Sequence, residues 1–235
     1  DIDMYELLRA ALRQRPEYIV VGEIRGKEAE TLFQAMNTGH TTYSTMHAET
    51  VDAAIGRLTN PPINVPKQMI TALDIICIQN QIRFTDDNGD VQNVRRNEET
   101  REIVGLRDNG QFQNRRPFQW DAETDTFIQS LEDSYVLSRI SEENCWTPED
   151  KQRELQEREE VLEYMVEENI REFEYVSNII QAYMVDSEKI VREVRNDTLV
   201  PDDLKSLTDM EWEEPDKTLS DMSGSDMPQI EGDTQ

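Results

Sequence analysis

The 235-residue sequence holds two cysteines, six lysines and no long unbroken apolar run. Cys77 and Cys145 lie far apart and match no zinc or redox spacing, which suits a reducing compartment better than a disulfide scaffold. The most apolar run, Met69 to Ile78, is interrupted by Asp74 and falls short of the ~20 residues a membrane span needs. No signal-peptide pattern is visible. A dinucleotide fingerprint, G-x-G-x-x-G, does not occur, and neither does a phosphate-binding P-loop, G-x-x-x-x-G-K-[ST]. Gly22 to Lys27 imitates the P-loop, but only three residues separate its glycines and Glu28 follows the lysine. The chain opens at Asp1 inside a helical pattern, so the sequence reads as a piece of a larger protein.

What is abundant is acid. Fifty Asp and Glu face 24 Lys and Arg, a net charge of −26, and apolar residues make up only 36%. Part of the chain is therefore expected to be poorly packed or extended. Excess acid with scarce lysine resembles protein surfaces from salt-loving cytoplasms, where screening shortens the reach of self-repulsion. The plainer alternative is an acidic protein with an acidic tail. The charge is uneven: residues 1–60 carry 6 bases and 9 acids, whereas residues 197–235 carry 2 bases and 12 acids. Such a surface argues against sequence-independent nucleic-acid binding, which needs Lys and Arg to displace counterions.

Met4, Leu7, Leu8, Ala11 and Leu12 repeat at helical spacing until Pro16. Tyr18 to Val21 is a β-branched and aromatic run without alternation, as in a strand buried on both faces. Glu23 stands where it runs out. Thr31, Leu32, Ala35 and Met36 predict a helix, Gly39 a helix stop, and Thr41 to Met46 a second strand ending at His47. This unit favours a right-handed parallel crossover, whose ligands gather at the carboxyl ends of the strands. Val51 to Leu58 predicts a helix ended by Asn60-Pro61-Pro62. Asp74 to Arg83, then the turn Asp87-Asn88-Gly89-Asp90, then Val91 to Arg96 predict an antiparallel hairpin, with further short strands at Arg101–Arg107 and Arg116–Trp120. Thr147-Pro148-Glu149-Asp150 is a helix-capping signature. Leu155, Leu162, Met165 and Val166 predict the apolar face of the helix it opens. Phe173, Val176, Ile180 and Tyr183 predict a second helix, and Ile190, Val191 and Val194 a third. From Pro201 the acidic composition predicts disorder. There is no internal repeat.

The segments LLRAALRQRPEYIVVGEIRG (7–26) and AMNTGHTTYSTMHAET (35–50) closely resemble the type II/IV secretion ATPase superfamily, the motors of type IV pilus assembly, the archaellum and related secretion systems. VVGEIRG resembles that family's atypical Walker B segment and TGHTTYSTMHA its His box. INVPKQMITALDI (63–75) looks like the archaeal branch. The resemblance implies an α/β fold: part of a RecA-like P-loop ATPase core, a parallel sheet with an antiparallel addition, over residues 1–128. A helical unit (129–200) and an acidic disordered tail (201–235) are expected after it. It also implies ATP and Mg²⁺ as cofactors and a homohexameric ring. The further expectations are a polytopic membrane platform protein as partner, no nucleic acid, and a cytoplasmic location peripheral to the inner face of the cell membrane.

By position, the resemblance gives Glu23 the Walker B role, orienting the attacking water or supporting Mg²⁺ indirectly, and gives His47 contact with the γ-phosphate. His40 belongs to the same box and either takes part or only fixes the turn. Arg25 either pairs with Glu23 or reaches a phosphate. Arg9, Arg13 and Arg15 are candidates for contacts across a ring boundary, or simply a solvated helix face. In the family the P-loop lies upstream of residues matching these, so this chain alone is expected not to hydrolyse ATP. The rival readings are the archaellum motor, a truncated non-enzymatic interaction protein, and a RecA-like DNA translocase, which the charge disfavours. A zinc deaminase would need a Pro-Cys-x-x-Cys partner for His47-Ala48-Glu49, and neither cysteine supplies it. A two-histidine metal site with Cys77 or Cys145 is the least favoured alternative.

Overall fold

The computed structural model describes residues 3–85 and 91–204, which form two compact units divided between Trp146 and Thr147. Among the described residues the fold is mixed α/β, with a two-stranded parallel sheet, a four-stranded antiparallel sheet and eight α-helices. The expected turn at Asp87–Asp90 and the acidic tail beyond Leu204 lie outside the described residues.

The first unit opens with α1 (Met4–Arg13), capped by the Asp3 side chain, which accepts from the Glu6 N–H. Strand β1 (Tyr18–Val21) follows, then α2 (Glu28–Asn37), then β2 (Thr41–Ser44), which pairs with β1 in parallel from Tyr18↔Thr41 to Val21↔Ser44. The crossover helix ends in a Schellman arrangement. The His40 N–H donates to the Ala35 carbonyl and the Gly39 N–H to that of Met36, with Gly39 at φ 91° as a left-handed cap requires. Double-sided burial of β1 does not occur. Ile19 and Val21 are buried, whereas Tyr18 and Val20 are 63% and 73% exposed. Among the described residues the core lies on one face only, built from Leu8, Ile19, Val21, Leu32, Phe33, Leu58 and Ile70. The second strand is also shorter than predicted, ending at Ser44.

Helix α3 (Val51–Thr59) starts at a Thr50 cap and α4 (Lys67–Ile70) is a single turn. The antiparallel sheet runs β3 (Ile75–Thr85), β4 (Val91–Leu106), β5 (Phe112–Asp121), β6 (Thr126–Gln129), in that spatial order. The segment Arg101–Arg107 is no separate short strand. It continues β4, whose register against β5 shifts between Thr100 and Glu102 and between Ile103 and Gly105; these irregularities let one long strand bend where two were expected. Helix α5 (Tyr135–Glu143) lies before the division at Trp146, in the first unit, not in a helical unit beginning after residue 128. A buried carboxylate ties it to the sheet: Glu102 accepts from the Ser134 hydroxyl at 2.6 Å and the Tyr135 N–H at 2.7 Å. An acid at a helix N-terminus satisfies donors that would otherwise lack partners.

The second unit comprises α6 (Pro148–Glu167), α7 (Phe173–Val185) and α8 (Ser187–Arg195). Thr147 and Asp150 form a reciprocal capping box with Pro148 at the first helical position. Of the predicted face of α6 only Met165 is buried in the core, beside Val161; Leu162 and Val166 are 54% and 74% exposed. On α7 the core takes Ile179, Ala182 and Tyr183, while Phe173 and Ile180 face outward. Residues 201–204 are not irregular either. Pro201–Leu204 is a 3-10 turn whose Leu204 completes the same core.

Candidate functional site

The sequence that makes β1 a strand also fixes where it stops. After Val21 the chain stays beside β2 for three more residues: the Thr45 hydroxyl donates to the Gly22 carbonyl and the Ile24 N–H donates to the Thr45 carbonyl at 3.0 Å. Ile24, 5% exposed, is pulled into the core and leaves Glu23 on the open side. The next turn is held by Glu28, whose carboxylate accepts from the Arg25 N–H at 2.5 Å and the Gly26 N–H at 2.8 Å. Burial pushes the Glu28 carboxyl upward, but the backbone donors of Arg25, Glu28 and Gly26 hold it below its ordinary range. A Cβ at Gly26 would stand 3.2 Å from the Glu28 Oε2, so the carboxylate would have to shift by a few tenths of an ångström to admit a side chain there.

At the carboxyl ends of the two parallel strands the structure brings Glu23 and His47 together, Oε1 to Nε2 at 3.3 Å. The Glu23 side chain is 24% exposed and that of His47 is 84% exposed. Arg25 donates to the other carboxylate oxygen of Glu23. A cavity of about 260 Å³ opens here, with Glu23, Arg25, His47 and Arg57 as its polar lining and Ile24, Pro61, Pro62 and Ile63 as its apolar wall. The hydrogen bond from Arg25 is the main cause holding the Glu23 carboxyl below its ordinary range, with burial opposing and the charges of Arg25, His47 and Arg57 adding to the lowering. Glu23 thus accepts from the Arg25 guanidinium, with the His47 ring beside its other oxygen.

Arg57 is the residue sequence reasoning missed. It lies on α3, ten residues beyond His47, and its guanidinium donates to the His47 carbonyl, pinning the segment that carries the imidazole. Nothing in its local pattern separates it from a solvated helix-end arginine; only its hydrogen bond to the His47 carbonyl and its place in the cavity lining reveal it.

The other candidates lie elsewhere. His40 precedes β2 at its amino end, the end opposite His47, and its Nδ1 lies 3.2 Å from the Thr38 hydroxyl. Arg9 and Arg13 are exposed on α1, Arg9 stacked over the Tyr5 ring at 5.5 Å; Arg15 is exposed on the link toward the amino end of β1. None of the four lines the Glu23 cavity. Among the described residues no cluster of three or more His, Cys, Asp or Glu is placed to hold a metal ion, and no helix is long and apolar enough to cross a membrane.

The carboxyl edge of the two parallel strands thus carries a carboxylate and an imidazole, with Arg25 paired to the one and Arg57 to the backbone of the other, at the edge where α/β proteins commonly hold ligands. The chain belongs to the type II/IV secretion system protein family, whose model matches residues 1–200. An uncharacterized protein of Methanocaldococcus jannaschii is 44% identical over 143 residues, 60% of this chain and 51% of that protein. The type IV pilus assembly ATPase PilB of Pseudomonas aeruginosa is 39% identical over 84 residues, 35% of this chain and 14% of PilB. The X-ray structure of the Yersinia pseudotuberculosis ATPase DotB matches 41% of this chain and 25% of its own, with 28% identity and a TM-score of 0.31. The chain thus spans about half the length of the first of these relatives and less of the others.

Proposed function

We propose that this chain is the C-terminal part of a hexameric secretion or type IV pilus-assembly ATPase, with its first unit carrying part of a RecA-like core. In the intact protein, ATP hydrolysis at subunit boundaries drives extrusion of pilin-like subunits through a polytopic membrane platform protein, at the inner face of the cell membrane. The observation that carries the reading is the Glu23–His47 pair at the shared edge of β1 and β2. Family membership and the likeness to a pilus-assembly ATPase support it.

In this reading Glu23 accepts a hydrogen bond from the attacking water and aligns it, while the His47 imidazole donates to a γ-phosphate oxygen. The chemistry is positioning and electrostatics more than covalent work. Arg25 restrains the carboxylate rotamer, and Arg57 fixes the His47 backbone. A lone carboxylate fits a Mg²⁺ that keeps most of its ligands as phosphate oxygens and waters and that supplies charge neutralisation when bound. His40, Arg9, Arg13 and Arg15, away from the cavity, are assigned to the ring boundary.

The test is a turnover and binding comparison in the intact protein. Glu23→Gln is expected to lower kcat by about 100-fold or more with ATP affinity retained. Unchanged turnover would remove the assignment. The 235-residue chain alone is expected to show none.

A further inference from the structure

Helix α7 has thirteen residues, FEYVSNIIQAYMV, of which only Glu174 is charged, in a protein where 31% of residues are charged. One side is consumed by the unit's own core through Ile179, Ala182 and Tyr183. Along the other side Phe173, Ile180 and Met184, spaced seven and four residues apart, are 86%, 45% and 70% exposed, with Ser177 and Gln181 beside them and hydrogen-bonded to each other. A large aromatic left almost wholly in water, on a stripe with other apolar side chains, marks an interaction surface.

The surroundings say what kind. Residues 147–204 carry 17 acids against 7 bases, and Glu172, Asp186 and Glu188 at the two ends of α7 are exposed. A second copy would set this acidic rim against itself, and an anionic surface would be repelled. We infer that the outer face of α7 docks an amphipathic helix from a partner protein, apolar along one stripe and bordered by lysine or arginine. Phe173, Ile180 and Met184 seat the apolar residues, and the acidic rim orients and speeds the encounter. This rests on the second unit alone and is independent of the site at Glu23.

The experiment uses the 235-residue chain and a synthetic leucine–lysine peptide of roughly 18 residues with leucines at helical spacing, beside its scrambled isomer of equal charge. At about 0.5 M salt, where bare charge attraction is screened, the patterned peptide is expected to bind at least about tenfold tighter than the scramble. The double variant Phe173→Gln, Met184→Gln, which changes no charge, removes that preference while its circular dichroism stays that of the parent. Phe173→Gln alone reports the same loss in part should the double variant fold poorly. Equal binding of both peptides overturns the inference, as does a preference that survives both variants. Concentration-dependent self-association of the chain that the variants abolish also overturns it, because a second copy would then cover the face.

Discussion

The paired strands β1 and β2 and the helices α6–α8 treat their apolar side chains alike and their charges differently. In β1 alternate residues are buried and Tyr18 and Val20 stand out; in α7 one stripe is buried and Phe173 and Met184 stand out. In the helical unit the charges sit in exposed ion pairs such as Arg195–Glu160 and Arg158–Glu154, each of small worth. Beside β1 they converge instead. Glu23, Arg25, His47 and Arg57 meet at one edge because parallel strands end together, and a strand end is where backbone pairing stops and side chains can turn toward a ligand. Charged side chains gather at one cavity in the first region, and apolar side chains stay exposed in the second.

Three substitutions sharpen the contrast. The largest effect is expected at Ile179, fully buried in the helical core. Ile179→Ala should cost about 2–5 kcal/mol, read as lost amide-exchange protection in α6–α8. An effect under about 1 kcal/mol would mean that these helices are not held by that core.

Next is Glu102, whose carboxylate joins β4 to the start of α5. Glu102→Gln keeps the shape but removes the charge and one acceptor, and should cost about 2 kcal/mol, with α5 amides exchanging faster. Unchanged exchange in α5 would show that packing, not the carboxylate, holds the helix.

The smallest effect is acid-dependent. Hydrogen bonds from Arg96 and then Trp120 hold the Asp125 carboxyl down at about 2, from an ordinary 3.8. Because the folded value is the lower one, its stabilisation is present above about pH 4 and is lost as pH falls toward about 2. With the side chain partly exposed, that is on the order of 1–2 kcal/mol. Asp125→Asn should flatten the acid limb of an unfolding curve followed by tryptophan fluorescence. A parallel acid limb in the variant would assign the loss to other carboxylates.

Much of this was legible in the chain. Tyr18 to Val21 announces a strand, Gly39 a helix stop and Thr147-Pro148-Glu149-Asp150 a cap, because each rests on interactions within a few residues. Glu23 and His47 could be named as candidates from the segments around them. The face of α6 was read only in part: Met165 was placed inward correctly, but Val161 competes with Leu162 and Val166 one step around the helix, and periodicity cannot say which of them meets a core. The length of β4 was equally hidden, since its irregular register depends on β5.

The sequence by itself determined the local elements, the acid excess and the family motifs, since backbone propensity, capping and composition are properties of short stretches. Only the tertiary structure decided that the carboxylate of Glu23 and the imidazole of His47 stand 3.3 Å apart, that Arg57 joins them, and that α7 keeps an apolar face in water. Those are contacts between, or exposures of, residues distant in the chain, and they exist only once separate elements have packed.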